Sequence, residues 1–225
     1  ASATVTVIDP LNVAVISNVP MVQVADSGAA TATYELPFVV PANAAAGTWT
    51  VRVIGTEGTE AVVTDLGIGT FVVQLPTPAL RVQKTSTALS DPINNTTDPK
   101  RIPRGVVRYE IAVTNTGPGA VDSSSLVITD RIPDNTALYI AAAGGPPVEF
   151  IDGVPASGLA YNYATQVNYS NQPTGGAPFN YTPTPDADGF DAAVRGVRVA
   201  PAGTMTGATG AGQPSFTIRL RVRID

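Results

Sequence analysis

The sequence has 225 residues and a net charge of −5; 44% of its residues are hydrophobic, only 14% are charged, and it contains neither cysteine nor histidine. These absences exclude disulfides, thiolate metal sites, cysteine nucleophiles and Ser-His-Asp triads, and we predict a protein that is not an enzyme. No apolar run approaches the roughly 18 residues of a membrane helix. We therefore expect no membrane insertion. Neither half of the chain is net basic, so we also expect no nucleic-acid partner.

Residues 1–78 are predicted to form a small acidic β-sandwich. Short strands are expected at 4–8, 11–16, 21–24, 31–40, 46–53, 61–64 and 70–75, separated by glycine, proline and Asx residues. The clearest is 46–53, where Trp49, Val51 and Val53 alternate with polar neighbours, the period of a half-buried strand. One basic residue, Arg52, stands against six acidic ones, so this part carries a net charge of about −5.

The best domain boundary is Leu75-Pro76-Thr77-Pro78, because two prolines prevent strand pairing and stiffen the joint. Residues 79–225 are predicted to form a larger module that is electrostatically neutral overall. Its strands are expected at 79–85, 106–113, 126–129, 194–199 and 216–225, with an exposed loop at 90–100. Residues 141–189 are rich in glycine, proline, asparagine and tyrosine and are predicted to form a long irregular insertion.

Residues 79–140 carry a pattern that resembles a known repeat. Its positions are Leu80, Val82, Lys84 and Thr85, then Val107, Tyr109, Ile111, Val113, Asn115 and Gly117, and then Ala120, Val127, Asp130, Ile132 and Pro133. It is similar to the immunoglobulin-like repeat domain of unknown function found in large bacterial and archaeal surface proteins. The resemblance implies a spacer or assembly module without catalytic residues. The expected fold is therefore all-β, with two immunoglobulin-like antiparallel sandwiches in tandem, the second carrying the long insertion.

One candidate metal site lies inside the insertion. Asp186, Asp188 and Asp191 alternate closely around Gly189 and could wrap a calcium ion. The spacing departs from that of an EF-hand loop. Counted from Asp186, the sixth position is Asp191, where an EF-hand loop has glycine. An Asx-rich β-turn is the alternative interpretation. Calcium is the only cofactor that the sequence suggests.

Two segments are candidate assembly surfaces. Arg219, Arg221 and Arg223 share one face of the last predicted strand, which indicates either a solvated sheet face or an interface with the acidic first module of a neighbouring subunit. The N-terminal strand could leave its own module and complete a neighbour's sheet, which is strand addition. Its residues are Thr4, Val5, Thr6, Val7 and Ile8.

Three functions compete at this point. The favoured hypothesis is a structural subunit of an extracellular filament or surface fibre, assembled head-to-tail from copies of itself, since an open contact of that kind propagates. A stalk module of a larger cell-surface adhesin is the alternative. A carbohydrate-binding module is a third, resting on Trp49 and on the tyrosines of the insertion, which could instead pack that region. The small residues Ala1-Ser2-Ala3 resemble a signal-peptidase site and favour an extracellular or cell-surface location.

Overall fold

The chain folds almost entirely into antiparallel β-structure. A computed structural model describes residues 1–26, 32–41, 43–57, 63–141 and 145–225, and the predicted strands at 31–40 and 61–64 begin outside these ranges. Strands make up 50% of the chain and helix 2%, which confirms the predicted all-β class. Two compact units are present, Ala1–Leu75 (unit 1) and Pro76–Asp225 (unit 2). No helix in the described ranges has the length and apolar character to cross a membrane.

Unit 1 contains a four-stranded sheet and a hairpin. Its strands are β1 (Ser2–Ile8), β2 (Ala14–Pro20), β3 (Val22–Asp26), β4 (Ala32–Glu35), β5 (Gly47–Glu57) and β6 (Val63–Val73). The sheet order is β2-β1-β5-β6, and β3 pairs with β4. The alternation of β1 places Ala3, Val5 and Val7 in the core and the threonines between them on the other face.

The aromatic residues of unit 1 gather against this sheet. Trp49 is 1% exposed and its indole N–H donates to the carbonyl of Ala45 at 2.9 Å. Its ring centroid lies 5.8 Å from that of Phe71 and 6.2 Å from that of Phe38. Val5, Val7 and Trp49 are the buried centre of a small core, against which Phe38 and Phe71 pack with other partly buried side chains.

Unit 2 is larger and better filled. Its elements are β7 (Leu80–Ser90), β8 (Val106–Asn115), β9 (Ile128–Arg131), β10 (Thr136–Tyr139), β11 (Glu149–Asp152), β12 (Leu159–Ala160), α1 (Tyr163–Gln166), β13 (Val167–Ser170), β14 (Phe190–Asp191), β15 (Gly196–Val199), β16 (Ala202–Gly203) and β17 (Ser215–Ile224). One sheet has the order β14-β10-β17-β8-β7, with β11 also paired to β17, and the other has the order β13-β15-β9. The core lies between them, with Phe216, Ile218, Leu220 and Val222 of β17 all at most 1% exposed.

Two local differences from the sequence prediction have simple causes. β6 is one strand and not two, because Gly67 and Gly69, which we expected to interrupt pairing, continue it opposite Val53 and Val51 of β5. β2 runs through residues 18–20, where we expected a break. Pro20 is tolerated there because β2 is an edge strand and needs no further partner for its nitrogen.

The proline-rich segment after Leu75 is anchored to unit 2. The carbonyl of Thr77 accepts a hydrogen bond from the amide of Gly119 at 3.0 Å, and the amide of Ala79 donates to the Asn115 side chain at 3.1 Å. The close approach also requires Gly117 and Gly119, since a Cβ at either would overlap this segment. The prolines therefore belong to the edge of unit 2.

Candidate assembly surfaces

The N-terminal strand is at the centre of its own sheet. β1 pairs with β5 over seven consecutive residue pairs and with β2 on its other side. Of its residues, Val5 and Val7 are 5% and 3% exposed, whereas Thr4, Thr6 and Ile8 lie on the opposite face. Releasing this strand to a neighbour would break two strand pairings and open the Trp49 core. Residues 2–8 thus pair within the chain.

The three candidate calcium ligands have other partners. Asp186 accepts the amides of Asp188 and Phe190 and also binds the Arg223 guanidinium at 3.0 Å; the Phe190 amide and Arg223 lower its pKa. Arg223 also lies 3.4 Å from Asp188. In the described part of the chain no group of three or more acidic side chains could hold a metal. The geometry is that of the Asx turn, with an arginine as counter-ion.

The third aspartate, Asp191, is buried and accepts hydrogen bonds from neighbouring segments of unit 2. It is 6% exposed and accepts the Tyr181 hydroxyl at 2.9 Å and the amides of Thr184 and Ala193 at 2.7 Å each. Its carboxylate thus fixes the end of the insertion against β10, to which β14 pairs. The sequence suggested a metal ligand at this position because residue 191 pairs with residue 138, and a pairing between such distant residues cannot be read from the neighbouring sequence.

The arginine row lies on the solvent face of β17, as its alternation with buried residues predicts. Its members already have partners inside unit 2. Arg219 binds Glu110 on β8, Arg223 binds Asp186, and Arg221 lies 4.2 Å from the centroid of the Tyr139 ring. An interface made by these arginines would have to compete with those contacts, so the structure gives them a role within the sheet.

The aromatic residues proposed for sugar stacking are largely inside the protein. Trp49 is buried, Tyr169 is 6% exposed, and the hydroxyls of Tyr163 and Tyr169 are 2.9 Å apart. Tyr161 donates to the carbonyl of Val148 at 2.6 Å, and its ring stacks on Phe150. Burial raises the pKa of Tyr161 and of Tyr169, so both stay protonated. The tyrosines therefore pack against the core of unit 2, and Trp49 packs in the core of unit 1.

Unit 1 leaves much apolar surface uncovered. Among the residues described, its buried hydrophobic side chains are only Ala3, Val5, Val7 and Trp49. Large hydrophobic side chains stand in solvent across both of its layers: Leu11 at 74%, Val13 at 56%, Val22 at 64%, Val24 at 50%, Val39 at 86%, Leu66 at 48%, Ile68 at 65% and Val72 at 63% exposed. Where such side chains share one face of a strand, as Leu66, Ile68 and Val72 do on β6, they mark a candidate interaction site.

The β6 edge is the most regular part of that surface. β6 pairs with β5 without a register shift from Gly47↔Val73 to Glu57↔Val63, and nothing pairs with its other side in the described residues. Leu66, Ile68 and Val72 share its outer face. The opposite edge, β2, is interrupted by register shifts and by Asn18 at φ 52°, devices that discourage pairing. β6 has no such protection.

β7 of unit 2 also lacks a strand on its outer side among the described residues. Leu80 and Val82 lie on the core-facing side of the sheet, opposite Asn115 and Val113, yet they are 44% and 61% exposed. The next inward residue, Lys84, crosses to the other sheet and binds Asp130 on β9 at 2.7 Å. The β7 edge is therefore a row of exposed backbone flanked by two uncovered apolar side chains. The sequence shows the alternation of β7 but not that one of its sides has no partner strand.

Comparisons with known proteins identify no relative. No family model, no curated protein and no solved structure matches the chain. The resemblance of residues 79–140 to surface-protein repeats therefore stays a prediction, and the function has to be argued from the surfaces themselves.

Proposed function

We propose that this chain is a structural subunit of an extracellular filament or surface fibre, which assembles head-to-tail from copies of itself. The observation that carries the proposal is the uncovered apolar surface of unit 1. A module with four buried hydrophobic side chains among its described residues and exposed Leu66, Ile68 and Val72 gains stability when a neighbour covers that face.

Two further features support a structural role. The clustered tyrosines, aspartates and arginines of unit 2 satisfy one another in hydrogen bonds and ion pairs that hold the sheets together. The composition, with its many threonines, valines and glycines and its few charges, is that of a protein built from strands. Both features favour a scaffold over an enzyme or a ligand-binding protein.

Sedimentation velocity over a range of protein concentrations tests the proposal. We expect large assemblies in the wild-type chain and a strong loss of them in Ile68→Asp, since burying an unpaired carboxylate at an apolar interface is costly. Val39→Asp, at an apolar residue outside β6 that is more exposed (86% against 65%), is the control and should assemble normally. A wild-type chain that stays monomeric at every concentration contradicts the proposal.

The second candidate function is a stalk module of a larger cell-surface adhesin. The tandem arrangement of two compact β-units favours it. A stalk module holds its place by covalent connection and needs no self-association, so the same sedimentation experiment separates the two candidates. Monomers of both the wild type and Ile68→Asp, with equal stability, would favour the stalk.

A further inference from the structure

The direction of the backbone groups on β7 can be read from its hydrogen bonds. The carbonyl of Ala79 accepts the amide of Thr116 at 2.7 Å, and the amide of Asn115 donates away from β7 to Pro214. In an antiparallel pair the direction alternates from residue to residue. Arg81, Gln83 and Thr85 therefore exchange hydrogen bonds with β8, and the N–H and C=O groups of Leu80, Val82 and Lys84 point out of the free edge.

The β7 edge is open to a further strand along most of its length. From Leu80 to Ala88 its pairing with β8 has no register shift. Lys84 would normally guard such an edge, because a charge deters pairing. Here Asp130 and the ring of Tyr109, 4.7 Å from the ammonium, draw the side chain away across the sheet face. Lys84 therefore does not block the edge at Leu80 and Val82, whereas the carbonyl of Ser86 already accepts a hydrogen bond from Arg101 at 2.9 Å.

Unit 1 has a matching edge of the same length. β6 and β7 each have 11 residues, and they belong to different sheets. From Leu66 to Val73 β6 contains no charged residue and no proline. Two long, regular and unpaired strand edges in one chain are unusual, because proteins that remain monomeric protect such edges with bulges, prolines and charges.

The charges near the two edges are complementary. β7 contains Arg81 and no acidic residue, and Arg101 lies beside it and binds the carbonyl of Ser86, while Lys84 is already paired with Asp130. In the sequence, residues 57–65 carry the opposite charge, with Glu57, Glu60 and Asp65 and no basic residue. Opposite charges steer association and fix its orientation.

We propose that the β6 edge of one copy pairs with the β7 edge of the next, so that two sheets from different copies become one. This inference rests on the proposed function and names the strands that carry it. The contact joins different surfaces on the two copies, so each added copy offers a fresh edge and the assembly continues as a fibre. Main-chain hydrogen bonds supply the affinity, and Leu80 and Val82 receive apolar cover.

A proline on the outward side of β7 tests the pairing. In Val82→Pro the β7·β8 ladder keeps its hydrogen bonds, since the amide of Val82 points outward, but a strand arriving at the edge loses a donor and meets the ring. Val82→Thr is the matched control, which keeps the amide and the shape. We expect the concentration for half-assembly to rise about tenfold or more in Val82→Pro and to change little in the control. Circular dichroism checks that the proline variant folds.

Cysteine crosslinking gives a second test that does not depend on the proline variant. Because the sequence contains no cysteine, every disulfide formed must involve the introduced residues. One variant carries Thr70→Cys on β6, and a series of others carries a single cysteine at each position from 83 to 87 on β7. After oxidation of mixtures we expect disulfide-linked pairs at alternate β7 positions, since side chains alternate between faces. Each variant oxidised alone should stay uncrosslinked.

The outcomes separate this inference from the proposed function. Wild-type assemblies with an unaffected Val82→Pro variant and no β6–β7 crosslinks would overturn the strand pairing and leave self-assembly intact. Crosslinks within a single β7 variant would mean that two β7 edges meet each other, which also overturns it. A wild-type chain that never assembles would overturn both.

Discussion

Asn115 holds together the turn that follows β8. It is 0% exposed, and its carbonyl oxygen accepts the amides of Ala79 and Gly117 at 3.1 Å each. Its amide group donates to the carbonyls of Gly119 at 2.7 Å and Thr206 at 3.0 Å. One side chain thus satisfies four backbone groups from three segments, which is close to all it can do.

Removing the Asn115 side chain should be severe. We expect Asn115→Ala to lower the free energy of unfolding of unit 2 by about 3 kcal/mol, since buried backbone groups are left unpaired. The exposed neighbour Thr116 makes one hydroxyl bond to Ala79, so Thr116→Ala is a matched control and should cost under about 1 kcal/mol. Urea unfolding followed by circular dichroism measures both. Equal effects would show that Asn115 has no special role.

Asp91 makes the 91–100 loop sensitive to acid. Its carboxylate accepts the amides of Asn94 at 2.6 Å, Lys100 at 2.5 Å and Ile93 at 2.7 Å. The hydrogen bonds from Asn94 and Lys100 do most to lower the pKa of Asp91, from 3.8 to about 2.

This depressed pKa predicts a pH dependence of stability. The ionised carboxylate favours the folded state, so its contribution is complete above the unfolded pKa near 3.8 and is lost as the pH falls towards 2. We expect unit 2 to lose stability over this interval and Asp91→Asn to lose less, because the amide does not titrate. The midpoints of urea unfolding of both proteins, measured between pH 2 and pH 5, test this expectation. Identical pH profiles for the two proteins would rule out Asp91 as the titrating group.

At the scale of elements, the insertion is built into the sandwich of unit 2. Gly196 on β15 lies against Gly175 of the insertion, and a Cβ at residue 196 would overlap the Gly175 carbonyl. Ser170 donates to the carbonyl of Gly176 at 2.5 Å and adds a second tie. The insertion therefore needs glycine on the strand it covers.

We expect Gly196→Ala to destabilise unit 2 by about 3 kcal/mol or more. The added Cβ would overlap the backbone of Gly175, and a backbone segment cannot shift as easily as the end of a flexible side chain. Gly210, whose Cβ would meet nothing within 4 Å, provides the control substitution Gly210→Ala. Thermal unfolding by circular dichroism compares the two. A Gly196→Ala variant as stable as the wild type would mean that the insertion can move away from β15.

Elements with strict alternation could be predicted from the sequence, and contacts between distant segments could not. The pattern of Phe216, Ile218, Leu220 and Val222 fixes which face of β17 is buried, and it is correct at every position. The partners of the arginines between them depend on which strands lie beside β17. Arg223 meets Asp186, 37 residues away, only because β14 and β10 extend the sheet. The sequence suggested calcium as the partner of Asp186 and Asp188 because it does not show that Arg223 lies beside them.

At the scale of the whole molecule, the two units should differ in stability, and assembly should reduce the difference. Trp49 is the only tryptophan and lies in the unit 1 core, so its fluorescence reports on that unit alone. We expect its denaturation midpoint to rise with protein concentration, because binding to a neighbour stabilises the folded form by mass action. Ile68→Asp should remove this rise. A midpoint independent of concentration in the wild type would indicate that unit 1 is complete by itself.

The most direct measurement is electron microscopy of the purified chain across a concentration series. Head-to-tail association through different surfaces predicts unbranched fibres that lengthen with concentration, and addition of salt should shorten them because the opposed charges of β7 and residues 57–65 are screened. Dispersed single particles at all concentrations, or closed dimers and rings that never extend, would contradict the account.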